Sequence, residues 1–581
     1  MKRQLCEPAG RPHSAPRDER SGRDRWDDRG GECEVELSSE AGMIPSMQLV
    51  HKVSLGLLAG VALLTVVAFR HPPLLGSDFS AMCDSWDHFR RTGEFNRAAN
   101  PDPDNIALDR SSFMTWWSPG PQIATGVFEF AGLPIGWGII FWSSAGMLAE
   151  LWGYRRLYAA LGFDSSTVAW TLVGIAAGWH TLYTFRQFQG GDPFIGALLP
   201  WTCIALLYVR RSAWHAFLTI AALTLAGAYL KLSFLIAGIG LAAALGASAL
   251  FDVYPEKCRG RRALWQVAAL ALGIMLAWGV LHWSFLSRGP TPATPYAENV
   301  TLRGCAHAAA IAFVLPFCST FGFVSVLGAL CDFCGWRHLE NNAALLCGAV
   351  AACAFAYILL WKATPRGQAR MLLVGFGLTY FFAFTGLYSM HAAVSYEDRH
   401  FRPLGLFLLP ALVAVATRPQ LGKLRFGFAA VVAIGGAWGV GSYGFRLTEL
   451  IQHDDRSMRR YSLRNLPSET ERYLAGIDAY LKSGNNLFVS DEPEALLSVR
   501  HNRVGRCNGG PLRGRVDTLV VILPPQTDPR PKLASFVDYR ATCWNSCNVH
   551  GWVIWWQGRD DLGKLPTREA SDRSLPTPKQ S

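Results

Sequence analysis

Long apolar stretches separated by short polar connections make up most of this 581-residue chain. Each stretch holds about 15 to 24 residues with few charges, which is close to the length that an α-helix needs to cross a bilayer. The pattern predicts a polytopic α-helical membrane protein with about eleven transmembrane helices. We place these helices at residues 51–69, 135–154, 166–185, 193–209, 213–230, 232–251, 263–286, 343–361, 371–389, 403–417 and 426–445.

Basic residues in the connections indicate the direction of each helix, because cytoplasmic loops of membrane proteins carry an excess of Lys and Arg. The turns so marked contain Arg155, Arg156, Arg210, Arg211, Lys257, Arg259, Arg261, Arg262, Lys362, Arg366, Arg370, Arg418, Lys423 and Arg425. With a cytoplasmic N-terminus, these marks agree only if residues 287–342 begin and end outside. The apolar run 306–330 within them, interrupted by Pro316, is predicted to form a re-entrant hairpin or two interfacial helices. The alternative is a plain crossing that departs from the charge rule.

This orientation gathers polar residues from distant parts of the chain at one face of the membrane. The two longest predicted external loops are 71–134 and 287–342, within a transmembrane domain that spans 48–445. A further segment, 446–565, is no longer membrane-like and contains short apolar runs typical of buried strands. We predict that it forms a small extracytoplasmic α/β domain. Such a gathering of polar groups suits an active site or another binding site on the external face.

The two ends of the chain differ from the rest in composition. Residues 1–47 are rich in Arg, Asp, Glu, Gly and Ser, and they are predicted to be disordered and cytoplasmic. An alternative is that translation begins at Met43 or Met47, because the first span follows immediately. Residues 566–581, rich in Pro, Ser and charges, are predicted to form a disordered tail.

The overall charge favours a membrane over a nucleic acid as the partner. Half of the residues are hydrophobic, 17% are charged, and the formal net charge is +11. In a membrane protein such a basic excess usually reports cytoplasmic loops. The sequence contains no cluster of Lys and Arg interleaved with aromatic residues, and we therefore predict no nucleic-acid partner.

The first external loop contains an acid only a few residues beyond the first span. Asp78 stands in the sequence Gly76-Ser77-Asp78-Phe79. A carboxylate there suits removal of a proton from a hydroxyl group while a phosphate leaves a sugar, and such proton transfer contributes about 10²–10⁴-fold to a rate. The alternative is a helix N-cap, since Asp readily begins a helix. One residue can serve both purposes.

Two further acids follow on the same predicted helix. Asp84 and Asp87 fall on successive turns after Asp78. Together the three carboxylates could hold a divalent cation, which prefers oxygen ligands. Alternatively, Asp84 and Asp87 form a solvated face with neighbouring arginines. The sequence leaves the use of a divalent metal open and makes no cofactor certain.

Opposite charges also lie at the external ends of later spans. Asp192 begins one span and is either an N-cap before Pro193 or an acid beside a substrate. Lys231 interrupts an apolar run at a tight hairpin. A lysine near a helix end usually extends its ammonium group to the interface, but in this position it could also bind a lipid phosphate.

A charged segment opens a late span from the outside. Arg399 and Arg402 are three residues apart and can face one side of a helical turn. Guanidinium groups bind phosphate bidentately and can stabilise a leaving phosphate. The alternative is an ion pair with Glu397 or Asp398. His400 between the two arginines is a substrate-site candidate, although a lone histidine is more often structural.

Over residues 50–445, the order of these features resembles the GT-C superfamily of integral membrane glycosyltransferases. The nearest branch contains protein O-mannosyltransferases, aminoarabinose transferases and polyprenyl-phosphomannose-dependent mannosyltransferases. The motifs that carry the resemblance are Gly76–Gly93, Ser118–Leu133, Gln189–Leu199, Arg210-Arg211, Leu230–Leu232 and Glu397–Pro410. Two positions depart from the family pattern. Phe79 stands where many members have a second acid, and His400-Phe401 stands where a tyrosine is commoner.

The resemblance implies that a monosaccharide is transferred from a polyprenyl-phosphate donor, with inversion at the anomeric carbon. The acceptor, a lipid, a glycan or a protein, would bind at the extracytoplasmic side. Asp78 would be the general base, and Lys231, Arg399 and Arg402 would hold the donor phosphate. The C-terminal domain would help to select the acceptor. The resemblance also favours a bacterial inner membrane.

Two other functions remain open at this point. A lipid-linked-glycan transporter or flippase should place ionisable residues deep within its spans, whereas the charges noted above cluster at span ends. A non-catalytic envelope assembly protein would keep the fold without the chemistry.

Overall fold

The computed structural model describes residues 44–209, 212–251, 259–289, 300–335, 337, 341–452, 466–506, 510–539 and 543–564. Several sequence predictions lie outside these residues. They are the N-terminal segment up to residue 43, the basic marks Arg210, Arg211 and Lys257, and the predicted tail 566–581. Residues 44–47, which we predicted to be disordered, form the start of a helix.

The described residues form nineteen α-helices and nine strands. The helices are α1 (Ile44–Arg70), α2 (Ser77–Thr92), α3 (Gly120–Phe130), α4 (Ile135–Ala160), α5 (Ser165–Ala177), α6 (Trp179–Arg186), α7 (Asp192–Val209), α8 (Ala213–Leu230), α9 (Phe234–Phe251), α10 (Arg259–Ser284), α11 (Leu302–Cys318), α12 (Phe323–Cys334), α13 (Ala343–Ala363), α14 (Gln368–Ser389), α15 (Arg402–Thr417), α16 (Leu424–Gln452), α17 (Ser468–Tyr480), α18 (Pro493–Leu496) and α19 (Pro529–Ala534). The strands are β1 (Leu74–Leu75), β2 (Arg97–Asp102), β3 (Asn105–Phe113), β4 (Gln187–Phe188), β5 (Asn486–Ser490), β6 (Arg503–Gly505), β7 (Thr518–Leu523), β8 (Asn545–Val549) and β9 (Trp552–Gln557).

The protein is a multi-pass membrane protein. Within the described part of the chain, nine helices are long and apolar enough to cross a bilayer: α1, α7, α8, α9, α10, α13, α14, α15 and α16. The predicted span at 135–154 is the longer helix α4, which has 26 residues but is not one of these nine. The predicted apolar run 306–330 is the pair α11 and α12, and the two helices are bent by 108° with respect to each other. Such a bend agrees with a broken span or a re-entrant loop.

One predicted span is not a single helix. The run 166–185 is divided into α5 and α6, and Gly178 between them has an extended backbone with φ −67° and ψ 145°. Helix α16 passes directly over this break. A Cβ atom at Gly439 of α16 would lie 2.1 Å from the Ala177 carbonyl oxygen and 2.8 Å from the Trp179 nitrogen. A glycine is therefore required where α16 crosses.

Helix α15 is the central helix of the bundle. Almost every one of its residues is buried, and it packs against α5, α13, α14 and α16. Its leucines, phenylalanine and valines join the largest apolar core. Since an entirely apolar surface all around a helix is typical of a buried position, the sequence of α15 accounts for its place. Its first residue, Arg402, is buried together with the rest.

A short parallel strand pair fastens the first loop to the bundle. Strand β1 pairs with β4, with Leu74 opposite Gln187 and Leu75 opposite Phe188. The Gly76 N–H then donates to the Phe188 carbonyl at 3.0 Å. A Cβ atom at Gly76 would lie 2.7 Å from the Gln189 side chain. This contact sets the position at which α2 begins.

The C-terminal region contains the small α/β fold that the sequence predicts. Its five-stranded sheet has the order β6-β5-β7-β9-β8, in which β6, β5 and β7 are parallel and β9 and β8 are antiparallel to their neighbours. The preceding helix α16 continues to Gln452, beyond the predicted boundary at 446. Both faces of the sheet are covered by apolar clusters.

The hairpin of β2 and β3 lies against this domain. Ile106 is fully buried in the same cluster as Leu487 and Leu519, and its N–H donates to the Arg513 carbonyl at 2.8 Å. Arg503 pairs with Asp109 of the hairpin at 2.6 Å. The first loop therefore joins the helical bundle to the C-terminal domain.

We predict that Gly439→Ala destabilises the protein, because the new methyl group has no space against the break between α5 and α6. Inserting a carbon into a well-packed interior usually costs about 1–3 kcal/mol. Thermal unfolding in detergent, followed by tryptophan fluorescence, should show a midpoint several degrees lower than that of the wild type. Gly441→Ala on the same helix is the control, since a Cβ there meets nothing within 4 Å. Equal midpoints for the two variants would contradict this packing.

Candidate functional site

A polar cavity of about 350 Å³ lies at one end of the bundle. Its walls come from the first turn of α2, from α6, from the starts of α7 and α12, and from the segment that leads into α15. The titratable residues that line it are His180, Asp192, Glu397, Asp398, Arg399 and Arg402. The cavity lies at the helix ends that the charge pattern predicts to be external.

Arg399 of the cavity wall contacts Asp78, which follows the lining residue Ser77 and is 321 residues away in the sequence. Asp78 lies in the first turn of α2, whose N-cap is Gly76, and a carboxylate is stabilised there by the helix dipole. One Asp78 oxygen accepts from both terminal nitrogens of Arg399 at 3.4 Å. The Asp78 side chain is 31% exposed, and it can therefore meet a group that arrives from water.

The Arg399 guanidinium is shared between two carboxylates. In addition to Asp78, its Nε contacts Glu397. The three side chains are partly buried, and together they contain one more negative than positive charge. A phosphate that approaches Arg399 must therefore compete with carboxylates that are already in place.

Asp192 and Lys231 form a second ion pair beside the cavity. Asp192 is the first residue of α7 and Lys231 is the C-cap of α8, so that the pair joins two helix ends. The backbones are in close contact here, because a Cβ atom at Gly191 would lie 2.7 Å from the Leu230 carbonyl oxygen. The structure thus brings together Asp78, Asp192, Lys231 and Arg399, all of which the sequence singled out.

Arg402 is held by a buried acid that the sequence analysis missed. Its Nη2 donates to Glu150 of α4 at 2.6 and 2.8 Å and to the Thr181 hydroxyl at 3.0 Å. Its Nη1 donates to the His180 carbonyl at 3.2 Å. Glu150 is only 2% exposed. Because these protein acceptors already engage Arg402, Arg399 and Lys231 are the more accessible cations for a phosphate.

Glu150 also corrects the sequence-based statement that charges cluster at span ends. It lies well inside α4, 252 residues before its partner. A Cβ atom at Gly196 of α7 would lie 2.8 Å from the Glu150 carboxylate. The sequence contains a signal that could have identified Glu150. It is an ionisable residue within a predicted apolar span, and such residues are rare and usually paired.

The remaining candidates lie away from the cavity walls. Asp84 forms an ion pair at 3.3 Å with Arg506 of the C-terminal domain. Asp87 follows one turn later on α2, and His400 packs its ring against Phe384 with centroids 6.0 Å apart. Within the described part of the chain, no three His, Cys, Asp or Glu side chains are grouped as metal ligands. The three aspartates of α2 therefore do not converge on a cation.

A second cavity, of about 360 Å³, is almost wholly apolar. It is lined from α11, α13, α14 and α15, with Phe313, Tyr357 and Phe381 among its walls. Helix α15 contributes to both cavities, because Arg402 faces the polar one while Leu404 and Leu408 face the apolar one. The bent pair of α11 and α12 likewise contributes to both. A polar site is thus followed by an apolar one along the same helices.

Comparisons with known proteins find only distant likenesses. No protein-family model and no curated protein matches the sequence. Among solved structures, the arabinofuranosyltransferase AftD from Mycobacteria aligns with 87% of this chain at 13% identity and a TM-score of 0.41, and this chain spans 40% of AftD. ArnT from Cupriavidus metallidurans, bound to undecaprenyl phosphate, aligns with 87% of this chain and 98% of its own at 11% identity and a TM-score of 0.45. We therefore base the function on the geometry of the site.

We predict that Arg402→Met and Glu150→Gln each destabilise the protein, since each leaves half of a buried pair without its partner. Breaking a buried pair costs about 3–5 kcal/mol. The double variant Glu150→Gln/Arg402→Met should lose less than the sum of the two single variants, because neither charge of the pair then remains buried. Thermal unfolding in detergent measures all of these changes.

The control for that series is Arg472→Met, which breaks a pair with Glu469 whose side chains are 52% and 37% exposed. An exposed pair contributes about 0–1 kcal/mol, so little change is expected. If Arg402→Met were no less stable than this control, Glu150 and Arg402 would not form the central ion pair that we describe.

We also predict a pH dependence at the contact between α2 and the C-terminal domain. Burial raises the pKa of Asp84 from its ordinary 3.8 to about 7, although the Arg506 guanidinium lowers it. The folded protein therefore binds this proton more tightly than the unfolded chain, and stability is lost as the pH rises from about 4 to about 7. The midpoint temperature of thermal unfolding should therefore decrease as the pH is raised from about 5 to about 8. Asp84→Asn should flatten this slope, whereas exposed Asp104→Asn should not; equal slopes in all three proteins would contradict it.

Proposed function

We propose that this protein is a membrane glycosyltransferase that moves a monosaccharide from a polyprenyl-phosphate donor to an acceptor at the extracytoplasmic face. The observation that carries the proposal is the pairing of Asp78 with Arg399 at a polar cavity whose helices also line an apolar one. An acid, a cation and an adjoining apolar site are the three features that a lipid-linked phosphosugar requires. The sequence motifs resemble enzymes of the same class.

The cations would bind the donor phosphate. Arg399 contacts both Asp78 and Glu397, and Lys231 pairs with Asp192. A phosphate that binds Arg399 displaces the two carboxylates from the guanidinium. It forms charge-assisted hydrogen bonds in their place. This exchange releases the Asp78 carboxylate from Arg399, so that its oxygens can accept a hydrogen bond from the acceptor hydroxyl. Donor binding would thereby prepare the base.

The transfer itself needs one proton acceptor and one leaving group. Asp78 takes the proton from the acceptor hydroxyl, and that oxygen forms a bond to the anomeric carbon. The bond from the anomeric carbon to the phosphate oxygen breaks, and its electron pair leaves with the phosphate. Arg399 and Lys231 stabilise the charge that develops on the phosphate. Attack from the opposite face gives the inversion that the resemblance implies.

The apolar cavity and the C-terminal domain would hold the other parts of the substrates. A prenyl chain is apolar, and the walls around Phe313 and Leu408 exclude polar groups. The C-terminal domain contacts α2 through Leu497, which is buried with Phe79 and Met82. Since Asp78 lies in the first turn of α2, this domain is close enough to the proposed base to help select the acceptor. We further propose a bacterial inner membrane, with the N-terminus in the cytoplasm.

One observation favours a second candidate, a transporter of lipid-linked glycans. Glu150 and Arg402 are ionisable groups inside the bundle, where transporters place the groups that line a pathway. Here the two groups neutralise each other, and the Arg402 guanidinium also donates to the Thr181 hydroxyl. Movement of a fluorescent lipid-linked sugar across proteoliposomes, in the absence of any acceptor, would support the transporter over the enzyme.

We predict that Asp78→Asn lowers sugar transfer by about 10²–10⁴-fold, because the amide cannot accept the proton. Transfer by the purified protein in lipid nanodiscs would be measured with a panel of polyprenyl-phosphate monosaccharides and several acceptors. Binding of the donor should be retained, since Arg399 and Lys231 are unchanged. Asp104→Asn in the exposed tip of the β2–β3 hairpin is the control and should transfer normally. Full activity of Asp78→Asn would exclude Asp78 as the base.

A further inference from the structure

The charges around the polar cavity leave one buried carboxylate without a cation. Asp398 lines the cavity and is only 5% exposed. The neighbouring arginines are engaged elsewhere, Arg399 by Asp78 and Glu397 and Arg402 by Glu150. Among the described residues, no Lys or Arg nitrogen lies within ion-pair distance of Asp398, whose Oδ2 accepts the Val324 N–H at 3.4 Å. A buried carboxylate in this state gains free energy from any donor that reaches it.

An imidazole lies beside this carboxylate with an unused nitrogen. The Nε2 atom of His180 is buried, makes no hydrogen bond within the described residues, and lies 3.8 Å from Asp398 Oδ1. The backbone that carries this imidazole is anchored, because Arg402 donates to the His180 carbonyl at 3.2 Å and to the Thr181 hydroxyl at 3.0 Å. The His180 Nε2 atom therefore has hydrogen-bonding capacity left for a ligand, beside a carboxyl group that has no Lys or Arg ion-pair partner among the described residues.

The surroundings of the pair fit a neutral polyhydroxylated ligand. Trp179 and Tyr183 line the same cavity and present aromatic surface, and Gln189 contributes an amide. The cavity volume of about 350 Å³ falls in the range of small-molecule sites. Carboxyl groups, amides and imidazoles bind hydroxyl groups. Asp398 has no Lys or Arg ion-pair partner among the described residues, so this part of the cavity suits the hydroxyl groups of a ligand better than its phosphate.

The position of the pair separates it from the proposed base. The side chains of His180 and Asp398 are 11% and 8% exposed, while that of Asp78 is 31% exposed. We propose that His180 and Asp398 recognise the hydroxyl groups of the transferred monosaccharide, while Asp78 serves the acceptor at the more open side. This inference rests on the proposed function for the identity of the ligand. It assigns these two residues to binding of the sugar and gives them no part in proton transfer. Sugars that carry a carboxylate should be poor substrates.

The test compares donors with and without the sugar. Binding of sugar-free polyprenyl phosphate and of polyprenyl-phosphate mannose, glucose, galactose and arabinose would be measured in nanodiscs for the wild type, Asp398→Asn and His180→Ala. Each variant should bind the preferred sugar-bearing donor about ten- to a hundredfold more weakly, as expected for loss of a buried hydrogen bond to a charged group. Sugar-free polyprenyl phosphate should bind all three proteins alike. His180→Gln, which keeps hydrogen-bonding groups, should recover part of the loss.

The kinetic signature of these variants differs from that of the base variant. Asp398→Asn should raise KM for the donor and leave kcat within a few-fold, whereas Asp78→Asn should lower kcat. Equal weakening of sugar-free and sugar-bearing lipids, or unchanged binding of both in folded variants, would overturn the inference. Should Asp398→Asn fail to fold, His180→Ala and His180→Gln decide the question by the same criteria. Sugar-dependent binding without transfer by the wild type would overturn the enzyme proposal and support the recognition site.

Discussion

The buried ion pair between Glu150 and Arg402 is the interaction on which the geometry of the site depends. It joins α4 to the start of the central helix α15, and the same guanidinium also binds Thr181 and the His180 carbonyl of α6. Two charges in a low-dielectric interior are stable only when each has its partner and further hydrogen bonds. Helices α4, α6 and α15 are consequently held together at one point, Arg402, which lines the polar cavity.

A second constraint brings the first loop to that point. The pairing of β1 with β4 attaches the residues before Asp78 to those before Asp192, and Gly76 allows the close approach. The C-terminal domain covers the other side of the loop. Ile106 of the loop is buried in an apolar cluster of that domain, and Leu497 of the domain is buried against α2. The acid at the start of α2 is therefore supported by both the bundle and the C-terminal domain, and a partner bound to that domain would lie near the cavity.

The distribution of charge gives the cavity two chemically different sides. Arg399 is shared by two carboxylates near the more exposed side, where a phosphate can compete for it. The more buried side contains Asp398, which has no Lys or Arg ion-pair partner among the described residues, and His180, whose Nε2 makes no hydrogen bond among them. A phosphosugar has the same division, with an anionic group at one end and hydroxyl groups at the other. The apolar cavity along α15 extends this match to a lipid chain.

The sequence by itself determined that the protein is a bundle of membrane helices with a small C-terminal α/β region, because span length and strand patterning are local properties. It also singled out Asp78, Asp192, Lys231 and Arg399 as candidates, since charges at the ends of apolar spans are conspicuous. Only the tertiary structure decided how those charges pair and that 166–185 is broken at Gly178. It also showed that His180 and Asp398 line the polar cavity and that Glu150 binds Arg402. The physical reason is that an ion pair such as Asp78 with Arg399 joins residues 321 positions apart, and its energy depends on a distance that no local pattern contains.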